Sequence, residues 1–353
     1  MNGFTYEGLP SRVLFGWGTS SQARAEVKAL GCARALVLST PEQRPAAERL
    51  AAALGSAGAG VFSEAAMHTP VTVTDLAMAE VRQLGADCTV AIGGGSTIGL
   101  GKAIALRTDL PQLVIPTTYA GSEMTPVLGE TGADGKTTRR TLRVLPETVL
   151  YDVELTLTLP AAVSAASGVN AMAHAVEALY AVNANPVTSL LAAESVRLLV
   201  RALPVIAYDP PDAAARADAL RGSWLAGMCL AAAGMALHHK LCHILGGIFG
   251  LPHAATHAAV LPHAIAYNAS AAPEAMSVLA NALGQPDPAG GVYRMLGELS
   301  LERSLARLGM PRDGIDSVAD AVVREPYPNP AALDRDRIRH LLATAWAGDP
   351  PDA

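Results

Sequence analysis

The chain has 353 residues, of which 50% are hydrophobic, 16% are charged and only 4% are aromatic, and its formal net charge is −6 at pH 7. At about 150 residues per domain this length predicts roughly two domains, and the apolar fraction excludes a disordered chain. The negative charge argues against a nucleic-acid-binding protein, which would present a basic face. Four cysteines without paired or CxxC spacing, and no signal peptide before them, predict a reduced cytoplasmic protein.

The first part of the chain alternates strand-like and helical segments. The predicted strands cover residues 12–15, 35–39, 88–92, 113–116 and 148–151, and the predicted helices cover 21–30, 46–54, 73–84 and 97–106. Strands that alternate with helices of about 10–15 residues favour βαβ units, in which a parallel sheet is covered on both faces. We therefore expect an α/β domain over residues 1–160.

Residues 161–353 have a different character. Segments rich in Ala, Leu and Val run over 161–207, 213–237 and 296–308, and they predict an all-helical second domain. The longest apolar run, 224–237, is too short to span a bilayer and predicts one buried helix, so no membrane role is expected. A ligand site is expected between the two domains.

A run of three glycines follows the predicted strand 88–92. Gly93, Gly94, Gly95 and Ser96 connect this strand to a helix, which allows the backbone and the free N–H groups of the helix to approach a diphosphate. The alternative is a plain strand-to-helix turn. The next strand is followed by Pro-Thr-Thr-Tyr-Ala-Gly-Ser-Glu-Met-Thr at 116–125, which is either a ribose or phosphate contact at the edge of the sheet or an ordinary polar loop.

Histidines are concentrated in the second half of the chain. Asn170 and His174 are four residues apart, as are His239 and His243, so each pair shares a helix face, and His253 follows in a loop. Such a group indicates either a metal site or proton donors for a carbonyl group. Three imidazoles and one amide are a poor divalent site, because an amide brings no charge to offset the metal.

Together these residues resemble the iron-containing (group III) alcohol dehydrogenase superfamily. The resemblance begins at Val13-Leu14-Phe15-Gly16 and continues through the glycine motif and residues 116–125, 151–160, 168–180 and 239–262. It implies an N-terminal dinucleotide-binding domain with a Rossmann-like parallel sheet, residues 1–160, and an all-α C-terminal domain, residues 161–353. This is also the fold of dehydroquinate synthase. A homodimer is the family's usual assembly.

Three departures from the superfamily pattern point to one branch of it. The usual motif GGGSxxDxxK has Gly99 in place of its Asp, and the metal set of Asp and three His reads Asn170, His174, His239 and His253. The third departure is the string at 116–125. All three are shared with the branch that reduces maleylacetate.

This likeness implies NAD(P)H-dependent reduction of the carbon–carbon double bond of maleylacetate to 3-oxoadipate, a step in the degradation of aromatic compounds. The cofactor would lie against the triglycine motif, with further contacts from Thr40, Thr117, Thr118 and Ser122. Because Thr40, after the second strand, is not acidic, both NADH and NADPH are expected. No metal is expected to be required, since Asn170 replaces the charged ligand.

The same likeness assigns His243 as the principal proton donor. His174, His239 and His253 would then orient the substrate and stabilise the oxyanion, and His238 is counted both with the catalytic histidines and as a positive partner for the substrate's carboxylates. Four residues are candidates for binding the dicarboxylate, Asn170, Arg140, Arg143 and Lys240, although the two arginines fit equally well as solvated surface charges.

Two other functions remain open at this stage. One is a metal-dependent alcohol or polyol dehydrogenase in which Asn170 still binds the metal. The other is a non-redox relative, either a lyase similar to dehydroquinate synthase or a catalytically silent nucleotide-binding module.

Overall fold

The computed structural model describes residues 4–324 and 327–352, and these residues form two compact units. The first is the segment Leu9–Leu159, and the second combines residues 4–8 with residues 160–352.

A six-stranded sheet organises the segment Leu9–Leu159. All its strand pairs are parallel, and their spatial order is β1-β8-β5-β4-β2-β3. These strands are β1 (Arg12–Gly16), β2 (Ala35–Leu38), β3 (Gly58–Phe62), β4 (Cys88–Gly93), β5 (Gln112–Pro116) and β8 (Thr148–Asp152). The helices of the unit are α1 (Ala23–Ala29), α2 (Arg44–Leu54), α3 (Val71–Leu84) and α4 (Gly95–Thr108). The prediction of a parallel α/β domain is confirmed.

Alternation along the central strands explains why helices cover both faces of this sheet. In β2 the side chain of Val37 packs with α1 and α2, whereas its neighbours Leu36 and Leu38 pack with α3 and α4. All three side chains are fully buried. A strand with apolar residues at every position is the pattern of a sheet buried on both faces.

Sequence reasoning missed three strands in this unit. Strand β3 begins Gly-Ala-Gly, and glycine weakens the strand signal. Gly60 is needed there because a Cβ at this position would lie only 2.5 Å from the side chain of Leu84. The other two strands, β6 (Val127–Gly132) and β7 (Gly135–Arg140), form a separate antiparallel hairpin. Every residue of β7 is exposed, so no apolar pattern marks it.

The described residues of the second unit form helices joined by loops, and they contain no strand. Its helices are α5 (Ala161–Leu179), α6 (Pro186–Tyr208), α7 (Ala213–Ala232), α8 (Leu237–Phe249), α9 (His253–Asn268), α10 (Pro273–Leu283), α11 (Pro288–Glu298), α12 (Gly314–Arg324) and α13 (Arg335–Ala347). Two apolar cores hold them together, one centred on α5, α6 and α9 and the other on α8, α12 and α13. The prediction of a helical second domain is confirmed.

Helix boundaries in this unit differ from the predicted segments. The run 224–237, expected to be one buried helix, contains the break between α7 and α8, which meet at 93°. The run 296–308 was expected to be helical, but α11 ends within it at Glu298, and Ser300 adopts a positive φ of 54°. Within the described residues no single helix is long and apolar enough to cross a membrane, although the bent pair α7–α8 meets the length and composition criteria together.

Candidate active site

The triglycine segment forms the junction between β4 and α4. Gly94 is the N-cap of α4, and no side chain caps this helix end. A Cβ on Gly94 would lie 3.0 Å from the Thr118 side chain, whereas a Cβ on the exposed Gly95 would meet nothing within 4 Å. The first turn of α4 therefore presents uncapped N–H groups beside open space. This is the arrangement that binds a phosphate group.

The residues predicted to contact the cofactor surround this junction within the same unit. Thr117 follows β5, its backbone N–H donates to Gly93 O at 3.0 Å, and its hydroxyl accepts a 2.8 Å bond from Gln43 Nε2. Ser122 begins a short turn, and its backbone oxygen accepts a hydrogen bond from Lys102 Nζ at 2.6 Å. The structure brings β4, β5 and the end of β2 to one edge of the sheet, as Rossmann-type sites require.

Lys102 holds the segment after β5 in place. Its buried Nζ lies within 3.0 Å of the backbone oxygens of Ser122, Thr125 and Val127 and of the Thr125 hydroxyl. Burial lowers the pKa of Lys102 to about 7, and the nearby Glu123 carboxyl acts in the opposite direction. Lys102 therefore holds the loop in place, and the only sign of this role in the sequence is its position in the glycine motif.

Thr40 lies at the end of β2, half-buried, before a short turn. The structure adds an acid that sequence reasoning did not consider, Glu42. Hydrogen bonds to its own backbone N–H and to the Thr40 side chain lower the pKa of this exposed carboxyl. A carboxylate therefore does follow the second strand, at Glu42, two residues after Thr40.

The two arginines proposed for the substrate belong to the α/β unit. Arg140 ends the exposed strand β7, and Arg143 pairs with Asp109 at 3.1 Å, with both side chains about half exposed. Lys240 belongs to the helical unit, where its Nζ lies 5.4 Å from the centre of the Tyr327 ring.

In the helical unit three helices bring the predicted histidines together. Asn170 and His174 come from α5, His238, His239 and His243 from α8, and His253 from the first position of α9. The ring centres of His174 and His239 are 5.0 Å apart, and those of His239 and His243 are 6.3 Å apart. Asn170, His174 and His239 are each 5% exposed, whereas His243 and His253 are exposed. We call these six residues and His257, added by the structure, the histidine cluster.

Two buried residues of this region escaped sequence reasoning. Glu177 lies three residues after His174 on the same face of α5, and its Oε2 accepts from His239 Nδ1 at 2.6 Å. His257 lies one turn after His253 on α9, and its Nδ1 is 3.0 Å from His238 Nε2. The spacing Asn-x₃-His-x₂-Glu on one helix was the available signal for Glu177.

Burial favours the neutral forms of His174, His238 and His257. The pKa values of His174, His238 and His257 all lie well below the ordinary value, first because burial disfavours the charged ring and then because other histidines are close. The cluster nevertheless retains polar atoms in need of partners: Asn170 Oδ1, His174 Nδ1 and His239 Nε2 are buried without a hydrogen-bond partner among the described residues. Such atoms indicate a place for a polar ligand.

A divalent metal does not fit the residues that correspond to the superfamily's metal set. The ring nitrogens of His174, His239 and His253 do not all come within 4.8 Å of one another, a spacing that two other sets in the described residues do meet. Metal–nitrogen bonds of about 2.0–2.1 Å require closer donors. The fourth donor, Asn170, is neutral. One of the two closer sets consists of His238, Cys242 and His257. In this set His238 and His257 are already hydrogen-bonded to each other.

Comparisons with known proteins agree with this arrangement over both units. The model of the iron-containing alcohol dehydrogenase family matches residues 10–153, and that of the Fe-containing alcohol dehydrogenase family, C-terminal, matches residues 164–346. The chain is 57% identical over 348 residues to a maleylacetate reductase of Sphingobium indicum, covering 99% of both chains.

Solved structures give the same result. A maleylacetate reductase from Agrobacterium tumefaciens is 52% identical with a TM-score of 0.97, and one from Rhizobium sp. strain MTP-10005 is 52% identical with a TM-score of 0.96. Each comparison covers 99% of this chain and 100% of the other.

Proposed function

The chain belongs to the iron-containing alcohol dehydrogenase family, and we propose that it catalyses the NAD(P)H-dependent reduction of maleylacetate to 3-oxoadipate. The observation that carries this proposal is the full-length likeness to maleylacetate reductases at 46–57% identity. Gly99 and Asn170, which stand where the superfamily has two acids, support the same branch.

The reaction defines what the protein must supply. Maleylacetate is a dicarboxylate in which a ketone is conjugated to a carbon–carbon double bond. Hydride addition to the alkene carbon β to the ketone develops negative charge on the ketone oxygen, and the neighbouring carbon then takes a proton. The histidine cluster offers imidazole groups for both tasks, and Asn170 Oδ1 and His239 Nε2 are among its unpaired buried atoms.

A nicotinamide dinucleotide fits the α/β unit. The uncapped N-terminus of α4 and the open space beside Gly95 accept a diphosphate, and Thr117, Thr118 and Ser122 supply neighbouring polar groups. When bound, the dinucleotide supplies the hydride. We propose that both NADH and NADPH are accepted, because Thr40 is uncharged and the Glu42 carboxylate is exposed and hydrogen-bonded to Thr40. Glu42→Gln should therefore change the ratio of kcat/KM for NADPH and NADH only slightly.

We propose that turnover requires no metal. The support is the donor set: Asn170 brings no negative charge, and the three histidines do not form one of the closely spaced donor groups among the described residues. Positive charge for the substrate's carboxylates would come from Arg140, Arg143 and Lys240. The assembly we propose is a homodimer, which light scattering after size-exclusion chromatography would test.

The decisive experiment is NADH oxidation by the purified protein with maleylacetate, before and after treatment with a chelator, alongside elemental analysis. The proposal requires maleylacetate-dependent turnover that survives chelation at substoichiometric metal content. Turnover of simple aldehydes that disappears on chelation would instead identify a metal-dependent alcohol dehydrogenase.

A further inference from the structure

Glu177 occupies a special position between α5 and the start of α8. The carboxylate is fully buried, accepts from the backbone N–H groups of Ala236 at 2.9 Å and His238 at 2.8 Å, and has its Oε2 2.6 Å from His239 Nδ1. Helix α8 has no cap from its own N-cap residue, Ala236. Glu177 therefore caps the helix that carries three of the histidines and also contacts one of their rings.

This contact determines which nitrogen of His239 can react. We assign the hydrogen of the 2.6 Å contact to His239 Nδ1, because both oxygens of Glu177 already accept backbone N–H bonds and an ionised carboxylate can only accept. The other nitrogen, Nε2, is buried and has no partner among the residues that the structure describes. In the neutral ring Nε2 carries a lone pair, and in the charged ring it carries an N–H that can be donated.

We propose that Glu177 is a positioning residue that makes His239 the proton donor of the reaction. The proposal rests on the proposed function and gives His239 the role that sequence reasoning gave to His243. The two rings lie one turn apart on α8, but His239 is buried against a carboxylate whereas His243 is exposed.

The step balances in atoms and charge. A hydride from NADH or NADPH forms a C–H bond at the carbon β to the ketone, and the alkene electrons move to give an enolate. The charged His239 then releases its Nε2 proton to the neighbouring carbon and becomes neutral, while Nδ1–H stays on Glu177. Solvent returns one proton to Nε2 before the next turnover.

The test replaces the carboxylate by its amide in the full-length enzyme. Glu177→Gln keeps the size and one acceptor oxygen but loses the charge. We expect kcat for maleylacetate to fall by about 10²–10⁴, as when a carboxylate that orients a catalytic histidine is lost elsewhere. The KM for NADH should remain unchanged. The alkaline limb of the kcat–pH profile should move to lower pH, because the charged ring has lost its partner.

Two controls separate positioning from capping. Asp212 caps α7 by accepting from Ala215 N at 2.7 Å, so Asp212→Ala should lower the melting temperature by removing this cap without moving the pH profile. In a His239→Ala background, Glu177→Gln should cause little further loss of kcat, because its effect acts through that ring.

Three results would overturn the proposal. One is a Glu177→Gln enzyme with normal kcat and pH profile and only a lower melting temperature. Another is a Glu177→Gln substitution that lowers kcat by the same factor in the His239→Ala background as in the wild type. The third is a pH profile that shifts with His243→Gln and not with Glu177→Gln.

A direct spectroscopic readout keeps this test apart from that of the proposed function. In ¹⁵N-histidine-labelled protein, His239, assigned with His239→Ala, should be protonated at Nδ1 in the wild type and change its tautomer or charge in Glu177→Gln. A wild type inactive on maleylacetate would refute the proposed function, whereas an unchanged His239 signal in Glu177→Gln would refute the positioning role.

Discussion

Mild acid should destabilise this protein because it buries neutral histidines. The pKa values of His174, His238 and His257 lie well below the ordinary value, and burial lowers the pKa of His263 to about 4. In the unfolded chain each of these rings takes up a proton near pH 6.5. The unfolded state therefore binds more protons than the folded state as the pH falls through this range. The stability is fully present above about pH 6.5 and is lost on acidification below it.

The size of the effect follows from proton linkage. Between about pH 7 and about pH 5.5, protonation stabilises an unfolded histidine of pKa about 6.5 by about 1.2 kcal/mol. Four rings that stay neutral in the folded protein therefore cost about 5 kcal/mol of unfolding free energy over this interval. That is a large share of the about 5–15 kcal/mol that stabilises a typical domain. Most carboxylates titrate below this interval, at about pH 4, and contribute little.

Urea unfolding followed by circular dichroism at the two pH values measures this loss. His263→Gln is the matched variant, because His263 is buried outside the histidine cluster. This substitution should remove about a quarter of the acid sensitivity. An unfolding free energy that changes by less than about 1 kcal/mol over the interval would mean that the folded protein already carries these protons. The argument from burial would then be refuted.

Three substitutions test the α/β unit. Gly95→Ala should leave the melting temperature unchanged and raise the KM for NADH several-fold, because its Cβ enters open space beside the helix N-terminus; a normal KM would exclude the diphosphate from this place. Gly99→Ala should lower the melting temperature despite the gain of about 1 kcal/mol usual in helices, because its Cβ collides with Thr69, and adding Thr69→Ala should reverse the loss. Lys102→Met should cost about 3–5 kcal/mol in urea unfolding, since the buried oxygens around Nζ lose their donor; a smaller loss would mean that water replaces it.

The fold was predictable where residue pattern alone determines the element. Strand β2 is apolar at every position, β4 and β5 are mostly apolar, and such runs between helical segments leave few alternatives to a parallel sheet. The glycine-rich β3 and the wholly exposed β7 lack that pattern, because contacts made by other parts of the chain hold them. Helix ends in the second unit were missed for a related reason: alanine-rich sequence continues across the break between α7 and α8.

The candidate site was only partly predictable. Spacing on one helix placed Asn170 beside His174, and His239 beside His243, because residues four apart share a face. The meeting of α5, α8 and α9 depends on packing between distant segments, which no local pattern encodes. The partnership of His238 with His257 therefore appeared only in the structure.

The roles of the histidines depend on their partners more than on their spacing. His239 and His243 are the same residue type, one turn apart on α8, and sequence reasoning had no physical basis for ranking them as acids. Glu177 supplies one, because a buried carboxylate 2.6 Å from Nδ1 fixes the tautomer of one ring and leaves its Nε2 for the substrate. The same carboxylate caps α8, so the bonds that begin this helix also aim the ring. A substitution that weakens the cap should therefore disturb the chemistry as well as the fold, and the two effects separate only when the kinetics are measured with and without His239.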